Sequence, residues 1–317
     1  MRVVLVLCGI VVGIAALAFF ITPNLPARQV SWESPDSGIA AGFERVKSFF
    51  ERLVGPSSLS VVVFGYPGSG FGSSVLADAI ILIHYKPQTN IAYLVSIPRD
   101  LWISDSHEQF KINEAIHRKR IPAALDTIRQ MTGVAADDYI SVNLTAVQRA
   151  VDALGGVDIV LDEPAVDWVS NFTMNAGPQH LDGEYAVWLI RNRYNPGGDF
   201  WREKNQQKVV EAAFEKFKTL SSSEKLSFIK QFAFESDMLG ATRLDLSRII
   251  PLAAGATMGT ARLAHIVLDP STKLLKTSSV PFIVGSSTTY ASVVLPAAGF
   301  EQYGEIRAYI QQRMDSR

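Results

Sequence analysis

Three arginines, a carboxylate and an amide lie close together in one stretch of this chain. They are Arg191-Asn192-Arg193, then Gly197-Gly198-Asp199-Phe200-Trp201-Arg202, then Gln206. The planar guanidinium grips phosphate oxygens in pairs. A helix start aims free N–H groups and the positive end of its dipole outward, toward anions. The spacing predicts such a start here. Asp199 is the expected N-cap, the two glycines allow a sharp entry, and no proline interrupts the run to Leu220. Arg202, Gln206, Val209 or Val210, Ala213 and Phe217 recur at helical spacing. The apolar end of that stripe must face the core, so its polar top faces inward too, into a cleft. The implied chemistry is recognition of a phosphate-bearing ligand.

Arg99-Asp100 is the second candidate pair. It follows the apolar run Ile91–Ile97, and Pro98 stops the ladder between them. Ligands of open α/β sheets gather at the carboxyl ends of strands. Other runs of buried-strand character are Leu59–Phe64, Ala79–Tyr85, Tyr139–Asn143, Val157–Leu161, His265–Leu268 and Ser292–Leu295. Helical stripes fall between them. Ile121, Leu125, Ile128 and Met131 precede Gly133 as C-cap; Thr145–Leu154, Leu181–Arg191 and Tyr303–Gln311 are further helices. The expected fold is α/β, a mixed central β-sheet with helices on both faces (α-β-α).

Several chemistries are excluded. The glycine-rich segment Gly65-Tyr66-Pro67-Gly68-Ser69-Gly70-Phe71-Gly72 lacks the Lys-Ser/Thr of a phosphate-binding P-loop and the spacing of a dinucleotide fingerprint. No serine has nucleophile-elbow spacing, and the five histidines form no zinc-protease motif. Cys8 is the only cysteine, which removes internal disulfides and multi-cysteine zinc sites. A formal net charge of −1 argues against nucleic acid as a partner.

The first residues set the location. Val3–Ile21 is an uncharged apolar run. As a helix it spans about 28 Å, close to a bilayer core. Residues 1–21 are expected to be a retained single-pass anchor, with a cleaved signal peptide as the alternative. A cytoplasmic N-terminus and an extracytoplasmic main domain follow from the short leading tail. Residues 22–58 read as a stalk and an amphipathic helix, and 59–317 as the main domain.

Across that domain the blocks occur in a specific order. They are Leu76-Ala77-Asp78, Ser96-Ile97-Pro98-Arg99-Asp100, Lys111-Ile112-Asn113, Leu154-Gly155-Gly156-Val157 and Leu181-Asp182-Gly183-Glu184. The last are Arg191-x-Arg193 and Gly198-Asp199-Phe200-x-Arg202-x-x-x-Gln206. Together they resemble the LytR-CpsA-Psr family over residues 59–217. The resemblance implies a membrane-anchored envelope phosphotransferase. Such an enzyme transfers a glycan phosphate from a polyprenyl pyrophosphate-linked glycan to peptidoglycan or another acceptor and releases polyprenyl phosphate. It implies that Arg99, Arg191, Arg193 and Arg202 hold the pyrophosphate, with Gln206 assisting. Asp78 would help bind magnesium. Asp199 would either orient the arginines or take the acceptor's proton, so Arg99, Arg193 and Asp199 form the catalytic set. A tunnel for the lipid tail is expected beside the arginines, with Val147, Val151, Val187, Ile190, Val210 and Phe214 as lining candidates.

The chain departs from the family pattern in three places. Pro67 stands near the position of the family's first Asp, Val75 or Leu76 where an Arg is usual, and Asn205 where an Arg precedes the Gln. One carboxylate fewer weakens a hard-cation site. A non-catalytic binder or sensor of the same lipid-linked glycans, or a polyprenyl pyrophosphate hydrolase, is the alternative.

Overall fold

The runs of β-branched and aliphatic residues are buried almost end to end, as strands covered on both faces must be. A computed structural model describes residues 58–68, 76–86, 88–221, 223–225, 227–228, 261–268, 270–284 and 287–316. The expected anchor, the stalk and amphipathic helix to residue 57, and Val75 lie outside the described residues. No helix among the described residues is long and apolar enough to cross a membrane.

The central sheet holds β1 (Leu59–Tyr66), β2 (Ala79–Lys86), β3 (Ile91–Ser96), β6 (Asp138–Asn143) and β11 (Arg262–Ile266), in the order β11-β3-β2-β1-β6. β2 runs antiparallel to both β1 and β3, while β6 joins β1 and β11 joins β3 in parallel. The sheet is therefore mixed, and β1, β3, β6 and β11 all exit at one edge, where β2 enters.

Successive strand residues point to opposite faces, and each face has its own core. Val61, Val63, Ile81, Ile83, Leu94, Ile140 and Val142 pack against α2 (Leu144–Ala153), α3 (Gly183–Arg191) and α4 (Gly198–Thr219). Val62, Phe64, Ile80, Leu82, Tyr93 and Val95 pack against α1 (Ile121–Thr132) and α5 (Gly304–Asp315). Helices thus cover both faces, as expected. Gly133 closes α1 at φ 75°, the left-handed C-cap that the sequence announces.

Smaller ribbons complete the molecule. β4 (Trp102–Ser104) pairs with β5 (Gln109–Lys111), and β7 (Val157–Leu161) with β10 (Gly177–Leu181). Between the last two lies the hairpin of β8 (Ala165–Asp167) and β9 (Phe172–Met174). A longer hairpin joins β12 (Leu275–Val284) to β13 (Ser287–Pro296), of which sequence patterning marks only the part from Ser292. Leu181 ends β10 and does not begin α3; Asp182 is the helix N-cap, accepting from the Tyr185 N–H at 2.9 Å. β11 lies earlier than the run His265–Leu268 because its pairing with β3 starts at Arg262↔Ile91.

Candidate active site

Strand register assembles the site. β2 and β3 pair Ile81 with Ser96, and the Ile97 N–H continues the ladder to the Ile80 carbonyl at 2.9 Å. Extending that register places Asp78 opposite Arg99, where β2 enters the sheet and β3 leaves it. The Asp78 N–H is tied to the Gly65 carbonyl at the end of β1. Arg99 Nη1 donates to Asp78 Oδ1 at 2.5 Å, and its Nε donates to Asp199 Oδ2 at 2.7 Å. Asp100 Oδ2 lies 3.5 Å from the same Nε, and Lys111 Nζ donates to Asp100 Oδ1 at 2.7 Å.

The other wall is the first two turns of α4. Asp199 is not its N-cap. That place belongs to Gly197, at φ 96°, with Gly198 at φ 52°, backbone that only glycine adopts readily. Asp199 sits one residue inside the helix, and its carboxylate turns to the arginines. Arg202, one turn on, reaches Asp199 Oδ2 at 3.2 Å and the Asp78 carbonyl at 3.0 Å through Nη2. Asp199 is thereby gripped by two guanidiniums from different elements.

The polar top of the α4 stripe does face inward. Arg202, Glu203, Asn205, Gln206 and Gln207 are all buried, above Val209, Val210, Ala213 and Phe217. Burial works against the Arg202 charge, helped by Arg99, while Asp199 and Asp78 favour it. Burial also opposes the Arg99 charge, yet the carboxylates of Asp199, Asp100 and Asp78 together hold its pKa above the ordinary value. Burial pushes the Glu203 carboxyl up to about 8.

The remaining expected residues lie apart from this network. Arg191 and Arg193 are exposed, at the end of α3 and in the loop before α4. Arg193 makes no hydrogen bond or ion pair among the described residues. Gln206 Nε2 donates to the Ile190 carbonyl at 3.2 Å, tying α4 to α3. Val147, Val151, Val187, Ile190 and Val210 are buried in the core on this side of the sheet, with Phe214 in a small cluster beside Ala261.

Two members were not singled out by sequence reasoning. Lys111 lies in one of the ordered blocks but carries no signal of its pairing with Asp100. Glu203 carries no sequence signal of burial, and only the packing of α4 reveals it.

The protein donors do not fit a magnesium ion held by the chain alone. Asp78 is engaged by Arg99, Pro67 supplies no carboxylate, and no group of three or more His, Cys, Asp or Glu among the described residues is placed to hold a metal. What the arrangement can do is bind an anion: Arg99 and Arg202 converge from two elements.

A model described as the LytR_cpsA_psr family matches residues 47–256. Among curated relatives is the polyisoprenyl-teichoic acid–peptidoglycan teichoic acid transferase TagU of Bacillus cereus. It is 35% identical over 149 residues, 46% of this chain and 48% of that protein. The chain spans about half the length of the curated relatives it matches. Among solved structures, B. subtilis TagV aligns with a TM-score of 0.59 at 19% identity, over 82% of this chain and 98% of that one. A structure described as TagT bound to LIIa-WTA aligns with a TM-score of 0.57 at 21% identity, over 81% and 90%. These likenesses show the fold.

Proposed function

The chain belongs to the LytR_cpsA_psr family, and from that premise we propose that it transfers a glycan phosphate from a polyprenyl pyrophosphate-linked carrier to peptidoglycan or another envelope acceptor. The observation that carries the reading is the convergence of Arg99 and Arg202 on Asp199 at the strand-exit edge. The names of the curated relatives, teichoic acid transferases acting between polyisoprenyl carrier and peptidoglycan, support it.

Phosphoryl transfer needs mainly positioning and charge neutralisation. Arg99 and Arg202 would take pyrophosphate oxygens in place of part of their carboxylate contacts, with Arg191, Arg193 and Gln206 as further candidate contacts. The acceptor hydroxyl oxygen forms a bond to the glycan-side phosphorus. The bond from that phosphorus to the bridging oxygen breaks, and polyprenyl phosphate leaves. Both guanidiniums already meet Asp199 at Oδ2, which favours its role as orienter of the arginines; the hydroxyl proton passes to Asp199 or to solvent. Residues 1–21 are proposed to anchor the domain outside the cell membrane, and the lipid tail to lie along the apolar layer of α2, α3 and α4.

The test is incubation of the protein with lipid-linked glycan, with and without peptidoglycan, followed by detection of polyprenyl phosphate. Release only with acceptor supports transfer. Release without acceptor identifies a hydrolase, and binding without release a sensor, the reading that Pro67 in place of an Asp favours. Arg99→Ala should lower transfer by at least about 30-fold, since losing one partner of a desolvated charge pair costs about 2–5 kcal/mol, and Arg193→Ala, at an exposed position, should lower it in the same direction. Lysine should rescue poorly because it offers a point charge and not a fork. Unchanged activity in both alanine variants refutes the pyrophosphate site.

A further inference from the structure

The hairpin of β8 and β9 presents apolar surface to solvent. Trp168 is 70% exposed and Val169 62%. An indole left in water is unusual for a side chain that dominates buried cores and interfaces. The turn that carries it is tied down: Asp167 Oδ1 accepts from the backbone N–H groups of Val169 and Ser170 at 2.9 and 3.2 Å. Asn171 takes φ 53° to close the turn. Trp168 meets Tyr194 edge-on, with centroids 5.1 Å apart, and Phe172 packs between Tyr185 and Trp188.

The hairpin is fastened to the loop that carries Arg193. Asn192 Nδ2 donates to the Val166 carbonyl at 3.0 Å, the Val166 N–H to Asn195 Oδ1 at 2.8 Å, and Asn195 Nδ2 to the Pro164 carbonyl at 2.6 Å. Both asparagines are buried. Tyr194 adjoins Arg193 and precedes Asp199 by five residues, so it lies within about 18 Å of it even along an extended chain.

A flat, fixed aromatic face with polar neighbours matches a pyranose ring, which has an apolar C–H face and an edge of hydroxyls. Charge argues against an anionic bilayer as occupant, because the acids of this region outnumber Arg191 and Arg193 beside Tyr194. Asp158, Asp162, Glu163, Asp167, Asp182 and Glu184 lie between residues 158 and 190, and no Lys or Arg does. Anionic lipid is attracted by clustered basic residues, which this stretch lacks.

We propose that Trp168 and Tyr194 form a subsite for a pyranose ring of the transferred or accepting glycan, on the hairpin fastened to the Arg193 loop. The inference rests on the glycan-transfer reading for its ligand class.

The test uses the full chain in detergent and measures binding by calorimetry. The probes are soluble peptidoglycan glycan strands, a short-prenyl pyrophosphate-linked glycan, and phosphatidylglycerol vesicles. Trp168→Ala should weaken one of the two sugar probes at least tenfold, and which one identifies the source. Trp168→Phe should keep most of the affinity, and vesicle binding should not change. Wild-type affinity of Trp168→Ala for both sugar probes overturns the subsite, as does a loss confined to vesicles. Arg99→Ala, assayed in parallel for transfer, separates the two claims. If it abolishes transfer while Trp168→Ala binds sugar normally, only the subsite fails. If Trp168→Ala loses sugar while the wild-type chain releases no polyprenyl phosphate with acceptor present, only the transfer reading fails.

Discussion

Glu203 shows how much a single side chain can hold in reserve. It is buried beside Arg202, and its Oε2 has no hydrogen-bond partner among the described residues. Burial raises its pKa from 4.5 to about 8, so the folded protein keeps a proton that the unfolded chain gives up. Stability contributed by this proton is whole below pH 4.5 and is lost as pH rises toward 8. His84 acts in the opposite sense. Burial lowers its pKa from 6.5 to about 4, so stability falls as pH drops from 6.5 toward 4. Between pH 6.5 and 8 only Glu203, of these two, titrates between the states. Glu203→Gln should therefore flatten the loss of stability across that window and leave the protein more stable than wild type at pH 8. Urea denaturation at pH 6.5 and 8 measures it, and parallel slopes for the two proteins would refute the assignment. Arg202 and Asp199 share a linear cluster with glycines, which is legible in the sequence; Arg99 joins them only through the family resemblance, and the structure brings the three side chains into one network. The linear signal misplaced the helix cap by two residues. Asp199 is a good capping type, but two positive-φ glycines before it make the turn without a side-chain acceptor.

At the scale of elements, the tightest constraint is where α2 meets α3. A Cβ added at Gly183 would lie 2.2 Å from the Gln148 carbonyl oxygen and 2.8 Å from Asp152 Oδ2. The Gly183 N–H donates to Asp152 Oδ1 at 2.8 Å, so the approach is used as well as tolerated. The clash is with backbone, and one helix must move. Gly183→Ala should cost about 2 kcal/mol or more, at the upper part of the range for overpacking. A shift of the urea midpoint reports it, and an unchanged midpoint would mean the helices slide freely. The same elements show what patterning can and cannot reveal. β1, β2, β3, β6 and β7 were legible to within two residues because strands buried on both faces, or alternating cleanly, leave continuous or period-two signals. β4, β5, β8 and β9 are three residues each, too short to show a period. The pairing of Asp78 with Arg99 was not readable either, since it depends on the register between β2 and β3.

For the whole molecule with its ligand, charge balance decides metal use. Asp78, Asp100 and Asp199 are matched by Arg99, Arg202 and Lys111 within the network. Magnesium prefers octahedral oxygen ligands and usually shares them with substrate phosphates. The domain alone should therefore show no detectable magnesium binding by calorimetry, and binding should appear once pyrophosphate lipid is added. Pro67→Asp should strengthen the affinity, because the Pro67 carbonyl that receives the Leu144 N–H at 3.2 Å is kept by any residue. Tight binding without lipid would mean that a different set of acids holds the ion. The strand order carries a consequence for biosynthesis. β3 is flanked on one side by β11, which is made some 170 residues later. Until that strand leaves the ribosome and, on the proposed topology, crosses the membrane, one side of β3 presents open N–H and C=O groups to any passing strand. Long-range parallel pairing of this kind is slow and exposed to aggregation. A chain truncated before residue 262 would keep every arginine of the site and still be left with a sticky edge.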